Sequence, residues 1–229
     1  MGDKDLYKQQ AAEKAVEYVE DGMVIGLGTG STTQFALEQI GGLIKDGRLK
    51  NVVGIPSSIH TAREARRLGI PLTSLQEKPV IDLTIDGADE VDENLNLIKG
   101  GGGALLREKI VAQASQRVII IVDDSKLSPI LGTKHRLPVE VLPFAWVPEM
   151  NYLKSLKAHV LLRTHADGST FETDQYNFIL DCQFREIKEV KALAQRLDKR
   201  AGIMSHGLFV GLASDVICAG EKRIQHFKR

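Results

Sequence analysis

The sequence predicts an α/β protein: a doubly wound, mostly parallel sheet, with a second, smaller α+β domain of the split βαβ type. Three observations carry this. Segments with the period of an amphipathic helix alternate with short β-branched runs over roughly the first 130 residues. Most of those runs end in a glycine-rich, serine-rich or acidic turn. Beyond Pro129 the rhythm changes, with Pro138, Pro143 and Pro148 punctuating a crossing into a differently ordered set of elements.

In chain order, residues 11–20 read as a helix with Ala12, Val16 and Val19 on one face, ended by Asp21-Gly22. Residues 23–27 form a short strand running into Gly28-Thr29-Gly30, after which Ser31 or Thr32 is placed to cap a helix through Ile40. Then follow a strand at 51–55, a helix at 59–68 and a strand at 80–85. A glycine run leads into a helix over 104–115, and 118–122 is the most continuous apolar strand. Strands alternating with helices imply parallel pairing through right-handed crossovers. Ligands of such sheets sit beyond the carboxyl ends of the strands. The second half reads as a helix at 148–156, strands at 159–163 and 177–181, and a helix at 187–197. A last strand at 208–212 completes that run or rejoins the first sheet. The expected domains are therefore 1–130 with about 206–229, and about 131–205.

Composition narrows the function. Lys and Arg total 30 and Asp and Glu total 30, so the basic excess of a nucleic-acid binder is missing. Cys182 and Cys218, the two cysteines, each lie among apolar neighbours and read as buried reduced thiols. The first ten residues lack the apolar core of a signal peptide, and no run is long enough for a membrane span, so the expectation is a cytoplasmic protein.

Chemistry concentrates in the loops after strands. In Gly26-Leu27-Gly28-Thr29-Gly30-Ser31-Thr32, glycines let backbone amides approach an anion while three hydroxyls and a helix N-terminus add donors. A phosphate group is the natural guest; a tight turn without ligand is the alternative. No lysine completes a P-loop, and Ser31 stands where the third glycine of a dinucleotide fingerprint belongs. Asp86-Gly87-Ala88-Asp89-Glu90 crowds acids at a strand end, as a functional site or a capping turn; a metal site on Asp86 and Asp89 lacks any accompanying histidine. Lys99-Gly100-Gly101-Gly102-Gly103 holds more glycines than a turn needs, which suggests amides close to a ligand beside a fixed positive charge, or else a hinge. Lys126, after Asp123-Asp124-Ser125, is placed to meet a phosphate or hydroxyl.

Glu108 stands out by its helix neighbours. Positions three and four away are Ala104, Leu105, Val111 and Ala112, all apolar, so its face should pack inward. Burial favours a carboxylate's protonated form and makes it a better base near neutrality. The competing reading is a solvated glutamate on an exposed strip.

Taken together, these motifs resemble the ribose-5-phosphate isomerase A family. The similarity also runs through Val53-Gly54-Ile55-Pro56-Ser57-Ser58, Ala104-Leu105-Leu106-Arg107-Glu108-Lys109, Leu137-Pro138-Val139-Glu140-Val141 and Gly207-Leu208-Phe209, in order along nearly the whole chain. The resemblance implies interconversion of ribose 5-phosphate and ribulose 5-phosphate without metal or organic cofactor, and a homodimer or dimer of dimers built on a Rossmann-like domain and a smaller one. It implies that Glu108 accepts the proton, and that Thr29, Gly30, Ser31, Thr32, Asp86, Gly87, Ala88, Asp89, Lys99, Gly100, Gly101, Gly102 and Lys126 hold the substrate. Asp86, Asp89 and Lys99 are expected to share the chemistry. Two segments depart from the family pattern: 173–177 lacks an expected glycine, and 200–205 replaces a usual Pro-Gly-Val-Val stretch. A sugar-phosphate sensor module, or a related hydrolase or amino-sugar phosphate isomerase, are the rival readings.

Overall fold

The structure is a computed structural model that describes residues 2–229. In chain order its elements are α1 (Asp3–Val16), β1 (Val24–Leu27), α2 (Ser31–Lys45), β2 (Val53–Pro56), α3 (Ile59–Arg67), β3 (Ile81–Asp86), β4 (Glu90–Val91) and β5 (Leu97–Ile98). There follow α4 (Leu105–Gln113), β6 (Ser115–Asp123), β7 (Leu137–Val141), α5 (Trp146–Ser155), β8 (His159–Leu162), β9 (Phe178–Gln183) and α6 (Val190–Asp198). The chain closes with β10 (Ile203–His206), β11 (Leu208–Phe209), β12 (Asp215–Ala219) and β13 (Ile224–Lys228).

The chain divides into two compact units. The first contains the residues through Ala88, Arg107–Lys126 and Gly211–Arg229. Its six-stranded sheet has the order β13-β12-β6-β3-β1-β2. All neighbours are parallel except the β12–β13 hairpin. Strands β1 and β12 are buried throughout and β6 from Val118 to Asp123, as a parallel sheet covered on both faces requires. Ala11, Ala12, Ala15 and Val16 of α1 and Ala36, Leu37 and Ile40 of α2 pack with Ile25, Leu83, Ile119 and Ile121 in the main core.

Several boundaries differ from the sequence expectation. Helix α1 begins at Asp3, not near residue 11: its first turns are polar because they are largely exposed, and Asp3 and Asp5 suit the positive end of the helix dipole. It stops at Val16, where Tyr18 and Val19 close tight turns onto Ala15 and Val16. Neither Ser31 nor Thr32 caps α2. Gly30 occupies the cap position at φ 136° and ψ 175°, and the first residue of the helix is Ser31. Strands β12 and β13 were not foreseen; they extend the first sheet beside β6.

The second unit contains Asp89–Leu106 and Leu127–Val210. Residues 89–106 thus group with the small unit and not with the parallel sheet, because their two short strands pair with β11 in a sheet of order β11-β5-β4. The expected last strand shrinks to Leu208–Phe209 and joins that sheet, neither completing the small domain's run nor rejoining the parallel one. A four-stranded antiparallel sheet of order β10-β7-β9-β8 carries α5 and α6 in a βαββαβ succession. This is the split βαβ arrangement. Strand β7, which carries Pro138, supplies its first strand. Leu137, Val139, Val141, Leu153, Val160, Leu180 and Leu197 form its core.

Candidate active site

In the first unit the strand order reverses at β1. Its successor β2 lies on one side and β3 on the other, so the carboxyl ends of β1 and β3 flank a topological switch point, where open α/β sheets bind ligands. Two of the predicted loops meet there. The Gly28 amide donates to the Ile85 carbonyl at 3.0 Å, and the Thr29 amide donates to Asp86 Oδ1 at 3.2 Å. Asp86 is 3% exposed and also accepts from the Gly87 amide at 2.7 Å. A side chain at position 28 is excluded, since its Cβ would stand 2.6 Å from the Asp86 Cα.

The helix turn after this loop is built by Gly30 and Thr33. Gly30 holds a positive φ that L side chains rarely adopt, and Thr33 Oγ1 donates to the Gly30 carbonyl at 2.8 Å. Ser31 is exposed and Thr32 half-buried on that first turn. The hydroxyl of Thr29 is engaged with neighbouring hydroxyls. It meets Ser57 Oγ at 2.8 Å, Ser58 Oγ at 2.9 Å and Thr61 Oγ1 at 2.9 Å, and Thr61 donates onward to the Gly28 carbonyl at 3.0 Å. Thr29 therefore ties the β1 loop to the start of α3. Ser57, Ser58 and Thr61 were missed as parts of the site's framework; the pair Ser57-Ser58 after β2 was the available signal.

Glu108 is 4% exposed, in keeping with the apolar neighbours on its helix face. The direction of α4 follows from its packing. Just past its end, the Ala114 carbonyl accepts from the amide of Ile81 at the start of β3, and Val111 packs with Val24, Ile55 and Ile81. The helix thus runs back along the sheet, and Glu108, one turn before Val111, lies toward the strand ends that carry Gly28 and Asp86. Lys126 closes a single 3-10 turn, Asp124–Lys126, after β6, the neighbour of β3. That turn is pinned by Asp123, which accepts hydrogen bonds from the amide and the hydroxyl of Ser125.

The second unit gathers the remaining predicted residues. Asp89 Oδ2 accepts from the Gly101 amide at 2.7 Å, while the Asp89 amide donates to the Ile98 carbonyl. Lys99 is 3% exposed, its amide donates to the Gly207 carbonyl, and its Nζ stands 5.6 Å from the Phe209 ring centre. Gly100 and Gly103 have φ of 98° and 85°, and the Gly103 amide closes a turn onto the Gly100 carbonyl at 3.0 Å. The glycine run is thus a set turn and not an open hinge. Gly102 is exposed within it, and Ala88 and Gly87 are half-buried where the chain passes between units.

Glu90 and Glu140, quoted above only within longer motifs, are buried acids of this unit. Glu90 is fully buried and accepts from the amides of Gly132 and His135, each at 3.1 Å. Glu140 of β7 is 1% exposed and accepts from Thr173 Oγ1 and Asn177 Nδ2, each at 2.9 Å. Burial pushes the Glu140 carboxyl above its ordinary range, against the lowering effect of Asn177, Thr173 and the Leu106 amide. Among the described residues, no group of three His, Cys, Asp or Glu is gathered to hold a metal ion, and no helix is long and apolar enough to cross a membrane.

Comparison with known proteins agrees with this layout. The family model described as "Ribose 5-phosphate isomerase A (phosphoriboisomerase A)" matches residues 53–223. A ribose-5-phosphate isomerase A of Desulfatibacillum aliphaticivorans is 55% identical over 228 residues, covering 100% of this chain and 99% of that one. The ribose 5-phosphate isomerase of Plasmodium falciparum superposes with a TM-score of 0.95 at 42% identity, over 98% of this chain and 99% of that one. A D-ribose-5-phosphate isomerase solved in complex with phospho-erythronic acid gives a TM-score of 0.97 at 37% identity, with both chains covered in full. The chain belongs to the ribose 5-phosphate isomerase A family.

Proposed function

We propose that this protein interconverts ribose 5-phosphate and ribulose 5-phosphate with Glu108 as the proton-transferring base. The observation that carries the role of Glu108 is its burial, 4% exposed, on a helix directed toward the strand ends at the switch point. After ring opening, Glu108 takes the C2 proton of the aldose and returns it to C1 of the enediolate. One carboxylate can serve both carbons because they are adjacent. Negative charge then develops on the oxygens at C1 and C2, and Lys99 with amides of the glycine turn are the donors assigned to it.

Asp86 and Asp89 hold hydroxyls and carry protons during ring opening and between the two oxygens. Gly30, Ser31 and Thr32, at the N-terminus of α2, and Lys126 grip the phosphate and hydroxyls. Thr29 contributes its position in the loop, since its hydroxyl is engaged with Ser57, Ser58 and Thr61.

The test is an assay with ribose 5-phosphate in the presence of EDTA, joined to deuterium exchange at C1 and C2. Glu108→Gln should abolish turnover and exchange while leaving substrate affinity within a few-fold. Turnover near that of the parent would remove Glu108 from the role, and a parent that neither turns over nor exchanges would favour a sensor. A homodimer or dimer of dimers is supported by the apolar group Leu142, Phe144 and Val147, where Phe144 is 99% exposed. Phe144→Ser should lower the sedimenting mass if that patch joins two copies. A cytoplasmic setting is supported by Cys182 and Cys218, both free and buried, the Cys218 thiol pushed by burial up to about 12.

A further inference from the structure

Arg163 is bound on two sides. Its Nε and Nη2 donate to Asp181 Oδ2 and Oδ1 at 2.9 and 2.6 Å, a bidentate pair in which both side chains are only about one-sixth exposed, 15% and 16%. Its Nη1 donates to the Gly100 carbonyl at 3.1 Å and to the Gly101 carbonyl at 3.0 Å. The Arg163 Cζ also stands 5.6 Å from the centre of the Phe171 ring, and the Cε1 of that ring would be 2.7 Å from any Cβ placed on Gly103. Arg163 and Phe171 therefore bracket the same glycine turn.

Two peptide planes are fixed in this way. The plane between Gly100 and Gly101 is held at its carbonyl by Arg163 and the Gly103 amide, and at its N–H by Asp89. The Gly101 amide is thus committed to Asp89. The next plane, between Gly101 and Gly102, is held at its carbonyl by Arg163. In a trans peptide the N–H points opposite the carbonyl, so the Gly102 amide is aimed away from Arg163. Four glycines in a row have the widest conformational freedom a chain offers, and a donor for a developing oxyanion must be set before charge appears.

We propose that Arg163, oriented by Asp181, is a positioning residue of the isomerisation: it sets the Gly100–Gly102 turn so that the Gly102 amide stabilises the enediolate. This rests on the isomerase reading above. A structural arginine would affect stability alone; a positioning arginine affects kcat and the affinity for an enediolate mimic while KM stays put. Phospho-erythronic acid is such a probe, its carboxylate imitating the two enediolate oxygens. Arg163→Ala should lower kcat by about 10- to 100-fold and weaken phospho-erythronic acid by a similar factor, with KM for ribose 5-phosphate changed less than about threefold. Added guanidinium ion should restore at least part of kcat, and Arg163→Lys should restore little, because an ammonium cannot reproduce the planar fork.

Should Arg163→Ala fail to fold, Asp181→Asn leaves the guanidinium in place but loosens its hold, and should lower kcat about fivefold or more with KM unchanged. An unchanged kcat in the folded variant, or a loss confined to KM, overturns the proposal. Glu108→Gln separates the two levels: an inactive parent defeats the isomerase reading itself, whereas an active parent with a dead Glu108→Gln and an unaffected Arg163→Ala defeats only the role of Arg163.

Discussion

Arg117 of β6 grips both carboxylate oxygens of Asp215 at the start of β12, with Nε to Oδ2 at 2.8 Å and Nη2 to Oδ1 at 3.1 Å. The Nε2 of His226 stands 2.7 Å from Oδ1, and the Tyr18 ring covers the guanidinium at 4.3 Å. Burial works to raise the Asp215 carboxyl, but Arg117 and His226 outweigh it and hold the group below its ordinary value. A lowered folded-state pKa contributes stability that is present above the unfolded carboxylate range and lost as pH falls through the folded value. Asp215→Asn should therefore cost about 1–3 kcal/mol at pH 7, and the gap from the parent should close below about pH 4. Urea melts at the two pH values measure this; a gap independent of pH would refute it.

The Thr29 hydroxyl sits among three other hydroxyls, so its removal strands partners that water does not easily reach. Thr29→Val should lower stability by about 1–3 kcal/mol, whereas Thr32→Val should leave stability nearly unchanged and raise KM. Paired thermal melts and initial rates distinguish the two. Equal effects on KM would return Thr29 to direct substrate binding.

Tyr176 occupies the turn that lacks the family's glycine. It has φ 59°, is 77% exposed, and its amide closes onto the Thr173 carbonyl at 2.9 Å. A tyrosine in the left-handed region is strained there. Tyr176→Gly should stabilise the protein by about 0.5–1 kcal/mol, because relief of strain outweighs the added freedom of the unfolded chain. A lower melting temperature would count against this.

Glu140 titrates in the opposite sense from Asp215. Its folded-state pKa is raised, so its contribution is fully present below the unfolded carboxylate range and is lost as pH rises through the folded value. A glutamine keeps an acceptor for Thr173 and Asn177 without the buried charge. The melting temperature of Glu140→Gln relative to the parent should rise between pH 4 and pH 8; a flat or falling difference would show that the carboxylate's bonds outweigh its burial.

How much of this was legible depended on the range of each signal. The alternation that yields β1 to β3 and β6 is local and was readable, as was the apolar company of Glu108. Strands β4, β5 and β11 are two residues each, too short for any period to show. The run Asp215–Ala219 is continuously buried because it pairs with β6, about a hundred positions earlier, and no local pattern reports that partner. The convergence of Ser57, Ser58 and Thr61 on the Thr29 hydroxyl is a long-range arrangement that no local pattern reports. Likewise Arg163 carries no motif; its place is set by Asp181 on the next strand and by carbonyls some sixty residues upstream.

The chain leaves the first unit after Ala88, returns at Arg107, leaves again after Lys126 and comes back only at Gly211. During synthesis, β6 can pair with β3 early, but its other edge waits for β12. That edge belongs to a strand whose residues Ile119, Ile120 and Ile121 end up with at most 1% exposure. A nascent chain thus carries an open, sticky strand margin until Asp215–Ala219 has been made. The hazard of aggregation falls within that interval, and ends when Asp215–Ala219 pairs along β6.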